Sequence, residues 1–280
     1  MYLTREPSRH FDASQVIDPD HRGAVAWNQF NHHFAELITR DWRRINDGPV
    51  ARPAWLRLLR RILAWGIHRR DAFLDLERKA RVLWRFAPAM PRDPRIVFFG
   101  AEAGWEALLV DALFATGQRS GRVVLIDVDP AAHQRFLAGP AETRVKAPRG
   151  FPGGTELVLV RDPARVEYVQ QDFFTLERPA GFDVGIDWGL LEHFPDPAKG
   201  RLLARLRQFL APGGVQISSV PRDCLALKLF YRAFRDELNF GYRELLTPAE
   251  HAARLEAGGL QVLDQVTMPT NCVALTRPRA

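Results

Sequence analysis

The stretch from Arg95 to Asp127 constrains the fold of this 280-residue chain more than any other part of it. Ile96–Phe99 is an apolar run too short for a helix, and Ala107–Phe114 is rich in residues that favour helices. Arg122–Ile126 is a second β-like run, which stops at Asp127. This order predicts a strand, a turn, a helix and a parallel strand, with a carboxylate at the sheet edge where open α/β folds bind ligands.

The turn after the first of these strands carries Gly100 and Gly104, with Ala-Glu-Ala between them. Glycine lets a backbone turn approach a ligand closely, and the helix that follows presents free N–H groups and the positive end of its dipole. The acid that ends the second strand can accept hydrogen bonds from two ribose hydroxyls. Two glycines at this spacing do not form the G-x-G-x-x-G fingerprint, so the turn alone fits an ordinary β-α-β connection equally well.

Composition and charge exclude several classes of protein. Hydrophobic residues make up 46% of the chain and charged residues 26%, which is typical of a globular domain. No apolar run is long enough to span a bilayer, and the N-terminus lacks the apolar core of a signal peptide, so a cytoplasmic protein is expected. The two cysteines are far apart and support neither a disulfide framework nor a metal site. The net charge of +6 comes without an RNA-binding motif, and no nucleic acid partner is predicted.

Residues 1–90 are predicted to form a helical cap. One helix begins near Asp18-Pro19, where an N-cap residue precedes a proline. Its large apolar side chains recur at three- and four-residue intervals and define one face: Trp27, Phe30, Phe34, Leu37, Ile38, Trp42 and Ile45. A third helix, Asp71–Phe86, follows the basic helix described next and ends at a proline-rich break.

Trp55–Arg70 is predicted to be a basic amphipathic helix. Trp55, Leu58, Leu59, Ile62 and Leu63 lie on one arc, and Arg57, Arg60, Arg61 and His68 lie on the other. Such a helix can lie on an anionic membrane or on nucleic acid. Docking of its apolar arc on the sheet domain is the interpretation favoured here, because it fits a helical cap.

The middle of the chain resumes the alternation of strand and helix after an insertion, residues 138–165, that is rich in proline, glycine and arginine. Leu157–Val160 and Val166–Gln170 are β-like runs that we expect to pair as a hairpin. Val184–Ile186 is an apolar strand with Asp187 at its carboxyl end. Residues 221–246 form an aromatic, arginine-rich segment long enough for a lid helix, and the chain closes with two strands, Leu260–Val266 and Cys272–Thr276.

Five consecutive segments carry a resemblance to a known family. Residues 182–197, FDVGIDWGLLEHFPDP, and residues 202–221, LLARLRQFLAPGGVQISSVP, are similar to the fourth strand, its loop, the next helix and the fifth strand of class I S-adenosylmethionine-dependent methyltransferases. Residues 247–264 resemble the last helix and sixth strand of that family. The resemblance covers roughly residues 90–280. It implies a Rossmann-like, doubly wound, seven-stranded α/β sheet with the last strand antiparallel, and S-adenosylmethionine as cofactor.

Carried over position by position, the resemblance assigns roles to single residues. Gly100 and Gly104 match the glycine-rich turn beside the methionine moiety, and Asp127 matches the acid that binds the ribose. The other matches are Asp172, with Phe173 beside it, near the adenine N6; Asp187 and Trp188, where the fourth strand ends beside the sulfonium; and His193 in the adjoining loop. His193 is a candidate general base, and its alternative role is structural.

The glycine-rich turn departs from the family pattern at two positions. The family usually has an acid two residues before its first glycine and a glycine two residues after it, but this chain has Phe98 and Glu102 there. That acid usually helps to hold the methionine ammonium group. Glu102 could replace it, or it could equally be a solvated acid in the first helical turn, stabilised by the helix dipole.

The function that the sequence favours is methyl transfer to a small-molecule acceptor beneath the cap and the lid segment, in specialised metabolism. Arg222, Tyr231 and Tyr242 are the candidate acceptor-binding residues. Phe98 motivates a first alternative, in which the aminocarboxypropyl carbon of the same cofactor is attacked and methylthioadenosine is released. A second alternative is a non-catalytic binding or scaffold protein that retains only the fold.

Overall fold

The computed structural model describes residues 2–4, 53–70, 76–115, 123–177, 181–194, 196–234 and 243–279. The helices in this part of the chain are α1 (Ala54–Arg70), α2 (Leu76–Arg85), α3 (Trp105–Phe114), α4 (Pro130–Ala138), α5 (Asp196–Arg207), α6 (Leu225–Ala233) and α7 (Pro248–Ala257). The strands are β1 (Tyr2–Thr4), β2 (Ile96–Phe99), β3 (Val123–Asp127), β4 (Glu142–Lys146), β5 (Glu156–Val160), β6 (Val166–Gln170), β7 (Phe182–Trp188), β8 (Leu210–Pro221), β9 (Arg243–Glu244), β10 (Leu260–Thr267) and β11 (Asn271–Pro278).

Seven of these strands form one sheet in the order β10-β11-β8-β7-β2-β3-β6. The pairs from β8 through β7, β2 and β3 to β6 are parallel, whereas β11 is antiparallel to both of its neighbours, β8 and β10. The predicted seven-stranded α/β sheet with an antiparallel last strand is therefore confirmed. Because the parallel strands share one direction, their carboxyl ends meet at one edge of the sheet, where ligands bind in folds of this kind.

Both faces of the sheet are buried, as β2 shows. Ile96 and Phe98 belong to the apolar core that includes residues of α2 and α3, and Val97 and Phe99 belong to the core on the opposite face with residues of α5 and α7. Alternate side chains of a strand point to opposite faces, so a run of four apolar residues is what a strand covered on both sides requires. β2 and β3 are buried at every position.

The predicted hairpin between residues 157–160 and 166–170 is wrong. β5 instead pairs antiparallel with β4, in a separate two-stranded sheet, and β6 joins the main sheet parallel to β3. Between β5 and β6 the chain turns at Asp162, whose carboxylate accepts from the Ala164 N–H at 2.8 Å. In the observed pairing β6 is matched to β3 and β5 to β4 along their whole lengths, so the backbone groups on one edge of each strand are satisfied.

The packing of α1 also differs from the prediction, although the helix itself has nearly the predicted bounds. Its arginine Arg60, which the sequence places on the polar arc, is buried: the guanidinium lies 4.3 Å from the ring centre of Phe234 and donates to the Ala233 carbonyl at 3.0 Å. Trp55, Leu58 and Ile62 are exposed instead. The face of α1 that contacts α6 is thus centred on an arginine, because a guanidinium can stack on an aromatic ring and still satisfy a helix-end carbonyl.

The predicted helix that begins near residue 18 lies outside the described residues, and so does its apolar face. The division of the chain into a cap and a sheet domain therefore stays a prediction. None of the helices described above is long and apolar enough to span a membrane.

Candidate cofactor site

The glycine turn between β2 and α3 has an unusual backbone. Gly100, Glu102 and Gly104 all have positive φ values, of 63°, 47° and 75°. The Gly100 N–H donates to the Ile126 carbonyl at 2.9 Å, so the turn is attached to the end of β3. A Cβ atom at Gly104 would lie 2.5 Å from Leu125 Cδ1, which leaves glycine as the residue that fits both the backbone angle and the space.

Asp127 lies beneath this turn at the carboxyl end of β3. Its Oδ2 accepts from the Glu102 N–H and its Oδ1 accepts from the Asp129 N–H, each at 2.9 Å. The carboxylate is 8% exposed, and burial raises its pKa to about 6 despite these two bonds. Each oxygen keeps a second lone pair, so the carboxylate can still accept bonds from two ligand hydroxyls.

Glu102 is tied into a polar network on the β3 side of the turn. Its Oε1 accepts from Arg135 Nε at 3.0 Å, and Arg135 Nη2 also contacts Asp129 Oδ2 at 3.2 Å. The Tyr168 hydroxyl donates to the Glu102 carbonyl at 3.1 Å. Glu102 thus neutralises an arginine of α4 and braces the turn. Its predicted role as partner of the methionine ammonium group stays a prediction.

Asp172 and Phe173 follow β6, the strand at the outer edge of the sheet. Asp172 Oδ1 accepts from the Phe174 N–H at 2.9 Å, which fixes the turn. Phe173 is buried, with its ring 5.6 Å from that of Phe99 in an edge-on arrangement. The side chain of Phe173 therefore belongs to the core, and its predicted contact with a ligand stays a prediction.

Asp187 is fully buried inside the sheet. Gln216 Nε2 donates to its Oδ2 at 2.6 Å and Ser218 Oγ to its Oδ1 at 2.7 Å, and the same hydroxyl lies 3.1 Å from His251 Nε2 of α7. Burial raises the pKa of Asp187 to about 7 and lowers that of His251 to about 3. Each oxygen of Asp187 accepts a side-chain hydrogen bond from β8, which ties β7 to that strand.

Trp188 follows Asp187 and points to the opposite face of the sheet. Phe99 of β2 is paired with Asp187 of β7. The residues that follow them, Gly100 and Trp188, therefore also lie side by side. Its indole ring lies 5.4 Å from Lys79 Nζ of α2, and Lys79 forms an ion pair with Glu106 of α3 at 2.5 Å. The side chains of Lys79 and Glu106 are only 4% and 10% exposed, and Trp188 Nε1 is buried without a hydrogen-bond partner in the described part of the chain.

His193 lies in a buried turn just after β7, with a second acid beside it. Its Nε2 is 3.6 Å from Glu192 Oε1, and both side chains are at most 3% exposed. Burial raises the pKa of Glu192 to about 8, although the nearby Arg243 opposes this shift. The Arg243 guanidinium lies 4.9 Å from the ring centre of Tyr231. The described residues therefore bring His193, Glu192, Arg243 and Tyr231 into one buried polar cluster.

Arg222 lies at the start of the lid segment, where its N–H donates to the Thr270 carbonyl at 2.8 Å. It is partly exposed, whereas Tyr231 is 3% exposed on α6. The third predicted acceptor-binding residue, Tyr242, lies outside the described residues. An acceptor role for these three side chains stays a prediction.

Comparison with known proteins identifies the family. A family model described as a methyltransferase domain matches residues 67–265. The chain is a class I S-adenosylmethionine-dependent methyltransferase. No curated protein sequence matches it.

Solved structures share the fold of this methyltransferase at low sequence identity. One is a Burkholderia thailandensis 1,6-didemethyltoxoflavin-N1-methyltransferase with 1,6-didemethyltoxoflavin and S-adenosylhomocysteine bound, at 21% identity and a TM-score of 0.50, covering 83% of this chain and 93% of that one. Human N-acetylserotonin methyltransferase in complex with S-adenosylmethionine has 15% identity and a TM-score of 0.51, covering 95% and 69%. A possible exported protein from Bordetella parapertussis has 18% identity and a TM-score of 0.55, covering 95% and 100%.

The residues of this methyltransferase fit its cofactor, S-adenosylmethionine. The turn at Gly104 has no room for a side chain, and Asp127 retains acceptor capacity at the end of β3, where the family resemblance predicts the ribose. No side chain among the described residues caps the N-terminus of α3, so the first N–H groups of this helix are available to an anion. The match to a catalytic family favours a transferase over the scaffold interpretation.

Sequence reasoning missed Lys79, Glu106, Glu192 and Arg243. Glu106 is visible in the sequence as an acid just after the glycine turn, but its burial depends on Lys79 from 27 residues earlier. Lys79 is one of five charged residues in α2, and nothing in the sequence marks it as the buried one. Glu192 stands beside His193 in the segment that resembles the family, and its burial was the missing information.

Proposed function

We propose that this methyltransferase acts on a small-molecule acceptor held beneath α1 and the segment of residues 221–246, in specialised metabolism and in the cytoplasm. The observation that carries the proposal is the contact between α1 and α6, in which Arg60 joins Phe234 and the end of α6. Two segments distant in sequence thereby pack against each other. A cover of this kind suits a small acceptor better than a polymer, which needs an open groove.

Two of the similar structures support a small acceptor. One is named for methyl transfer to N1 of 1,6-didemethyltoxoflavin and the other for methyl transfer to N-acetylserotonin. Both names denote small molecules. We propose an acceptor of similar size for this chain, with an oxygen, nitrogen or carbon atom as the site of methylation.

The buried polar cluster beside β7 provides groups for the reaction. S-Adenosylmethionine, when bound, supplies an electrophilic methyl group on a sulfonium. Transfer of this methyl group to the acceptor would leave the electron pair on sulfur and give S-adenosylhomocysteine. We propose His193 as the base that takes the acceptor's proton. Glu192, with its pKa raised to about 8, is protonated at neutral pH and can donate a hydrogen bond to the acceptor.

Positioning is the second contribution that this chain makes. The groups that flank the reaction are buried, so water is excluded from the methyl group and from the acceptor. The attacking atom must approach in line with the breaking bond, and a covered pocket restricts the acceptor to few orientations. We propose that Arg222, Tyr231 and Tyr242 contribute to this restriction.

The competing chemistry is attack on the aminocarboxypropyl carbon of the same cofactor. It is motivated by Phe98, which stands where the family usually has an acid and is buried in the core with Trp188. Product analysis separates the two reactions. Methyl transfer leaves S-adenosylhomocysteine, whereas attack on the other carbon, or cyclisation, leaves methylthioadenosine.

The experiment is an incubation of the purified protein with S-adenosylmethionine and three kinds of acceptor: a panel of small phenols and heteroaromatic amines, a peptide pool, and RNA. We expect S-adenosylhomocysteine to accumulate with a member of the small-molecule panel. Methylthioadenosine as the sole nucleoside product would overturn methyl transfer. S-Adenosylhomocysteine formed only with peptides or RNA would overturn the small acceptor.

A further inference from the structure

The buried ion pair between Lys79 and Glu106 lies beside the glycine turn, at the end of the sheet where ligands bind in folds of this kind. None of the site residues described above uses this pair. Lys79 comes from α2, before the first sheet strand, and Glu106 from the first turn of α3, two residues after Gly104. Neither side chain is more than 10% exposed. Burying two charges is costly, and pairs of this kind often contribute little net stability.

The pair has hydrogen-bonding capacity left. A lysine ammonium carries three donors, and Glu106 Oε1 takes one of them. The third member of the group, the Trp188 indole N–H, is a buried donor with no partner among the described residues. Lys79 Nζ lies 5.4 Å from the ring of Trp188, so a cation, an anion and a neutral donor meet within a few ångströms.

The position of this group in the sheet matches one end of the ligand. β2 lies between β3, which ends at Asp127, and β7, which ends at Trp188. Two strand spacings amount to about 10 Å. If the ribose lies at Asp127, the amino-acid end of the ligand extends across the glycine turn towards Trp188, Glu106 and Lys79.

We propose that Lys79, Glu106 and Trp188 form the site for the α-amino and α-carboxylate groups of the cofactor. Lys79 and the Trp188 N–H take the carboxylate, and Glu106 takes the ammonium group, which exchanges one internal ion pair for two intermolecular ones. The site substitutes for the family acid whose position Phe98 occupies. Glu102 is not needed for it, because Glu102 is already paired with Arg135. The inference rests on the use of S-adenosylmethionine in the proposed function.

The test compares two ligands that differ only in this part of the molecule. S-Adenosylhomocysteine carries the amino-acid group, and methylthioadenosine keeps the adenosine and the thioether but lacks it. Calorimetric titration gives the dissociation constant of each ligand for the wild-type protein, Lys79→Gln and Glu106→Gln. We expect each variant to bind S-adenosylhomocysteine at least tenfold more weakly, while the dissociation constant of methylthioadenosine changes less than twofold.

Two further variants separate a ligand contact from a structural ion pair. In the double variant Lys79→Glu, Glu106→Lys the internal pair is retained with its polarity reversed, so we expect wild-type thermal stability and a persistent loss of S-adenosylhomocysteine affinity. Asp111→Asn is the matched control, because Asp111 lies on the same helix and pairs with Arg165 at 2.8 Å. It should leave both dissociation constants unchanged.

Three results would overturn the inference. The first is a single variant that folds and binds S-adenosylhomocysteine like the wild type. The second is an equal loss of affinity for both ligands, and the third is full recovery of affinity in the reversed pair. These outcomes leave the proposed function intact, since the wild-type protein still binds the cofactor product. Failure of the wild type to bind either ligand would instead refute the proposed function together with the inference.

Discussion

The Glu102 N–H donates to Asp127 Oδ2 at 2.9 Å, so the glycine turn and the acid at the end of β3 hold each other in place. A positive φ is energetically costly for residues other than glycine. The hydrogen bond to Asp127 helps to hold Glu102 at its φ of 47°. The carboxylate thereby positions the turn, and each of its oxygens keeps a lone pair for the predicted ribose hydroxyls.

Asp127→Asn should weaken the binding of S-adenosylhomocysteine at least tenfold. A hydrogen bond to a charged group contributes about 1.5–3 kcal/mol, and about 1.4 kcal/mol corresponds to a factor of ten in the dissociation constant. Wild-type affinity should also fall below pH 6, where the carboxylate takes up a proton. Asp183→Asn is the control, since Asp183 likewise accepts a backbone N–H, from Arg95 at the opposite end of the sheet. Equal affinities of wild type and Asp127→Asn would show that the ribose binds elsewhere.

Gly104→Ala should lower both stability and cofactor affinity more than Gly213→Ala. Both glycines have φ values near 80°, which cost an alanine roughly 1–2 kcal/mol. At Gly104 the added Cβ also meets Leu125 Cδ1 at 2.5 Å, whereas at Gly213 no atom of the residues that the structure describes lies within 4 Å of it. The overlap adds about 1–3 kcal/mol. Urea unfolding and calorimetric titration measure the two effects, and identical losses for both variants would contradict the collision.

Asp187→Asn should change how stability depends on pH. Because the folded-state pKa of Asp187, about 7, lies above its ordinary value of 3.8, its contribution to stability is complete below pH 4 and is lost as the pH rises to 7. The free energy of unfolding of the variant, relative to wild type, should therefore increase by about 1.4 kcal/mol per pH unit across this range.

Urea unfolding at pH 4.5, 6 and 7.5 tests this slope. Asp264→Asn serves as the control, because the pKa of Asp264 is lowered by its hydrogen bond with Arg85 and the group stays ionised throughout this window. Its difference from wild type should not vary with pH. A flat difference for Asp187→Asn as well would mean that Asp187 is ionised in the folded protein at every pH tested.

His193→Asn should reduce kcat by about 10²–10⁴, the range of general base catalysis, and leave the dissociation constant of S-adenosylhomocysteine within twofold. The asparagine keeps a similar volume and a polar end within the buried turn. Single-turnover kinetics, with the acceptor that the proposed incubation with the small-molecule panel selects, measure the effect. An unchanged rate would assign His193 to the structural role that the sequence left open.

Arg60→Ala should lower acceptor turnover more than cofactor affinity, because it removes the contact between α1 and α6 without touching the glycine turn. The variant lacks both the stacking of the guanidinium on Phe234 and its hydrogen bond to the Ala233 carbonyl. Arg57→Ala, on an exposed position of the same helix, is the matched control. Turnover equal to wild type in both variants would show that this contact plays no part in acceptor binding.

Local pattern was sufficient to predict the strands and helices on which the site is built. β2, α3 and β3 appear close to their expected bounds, and Asp127 lies at the strand end where it was expected. These features depend on residues within one β-α-β unit, since the burial of a parallel strand requires a continuous apolar run. The resemblance to the family extended the same reasoning to β7 and β8.

Contacts between distant segments could not be predicted. β5 pairs with β4, a strand within the predicted insertion for which the sequence analysis named no partner, so only the pairing with residues 166–170 was expected. Arg60 was placed with the solvated arginines because its aromatic partner, Phe234, is 174 residues away. The ion pair between Lys79 and Glu106 is another contact between distant segments. The sequence around either residue alone does not indicate that its side chain is buried and paired.

β11 is made after the other six strands of the sheet, yet it lies between two of them, β8 and β10. During synthesis the other six strands therefore leave the ribosome before β11 is available to pair with β8. Residues are added at about 5–20 per second, so β8 waits for roughly 50 residues, or several seconds, with one edge open. An unpaired edge of this kind is a site for mispairing with another chain. The growing chain is therefore exposed to mispairing at this edge of β8 until β11 has been made.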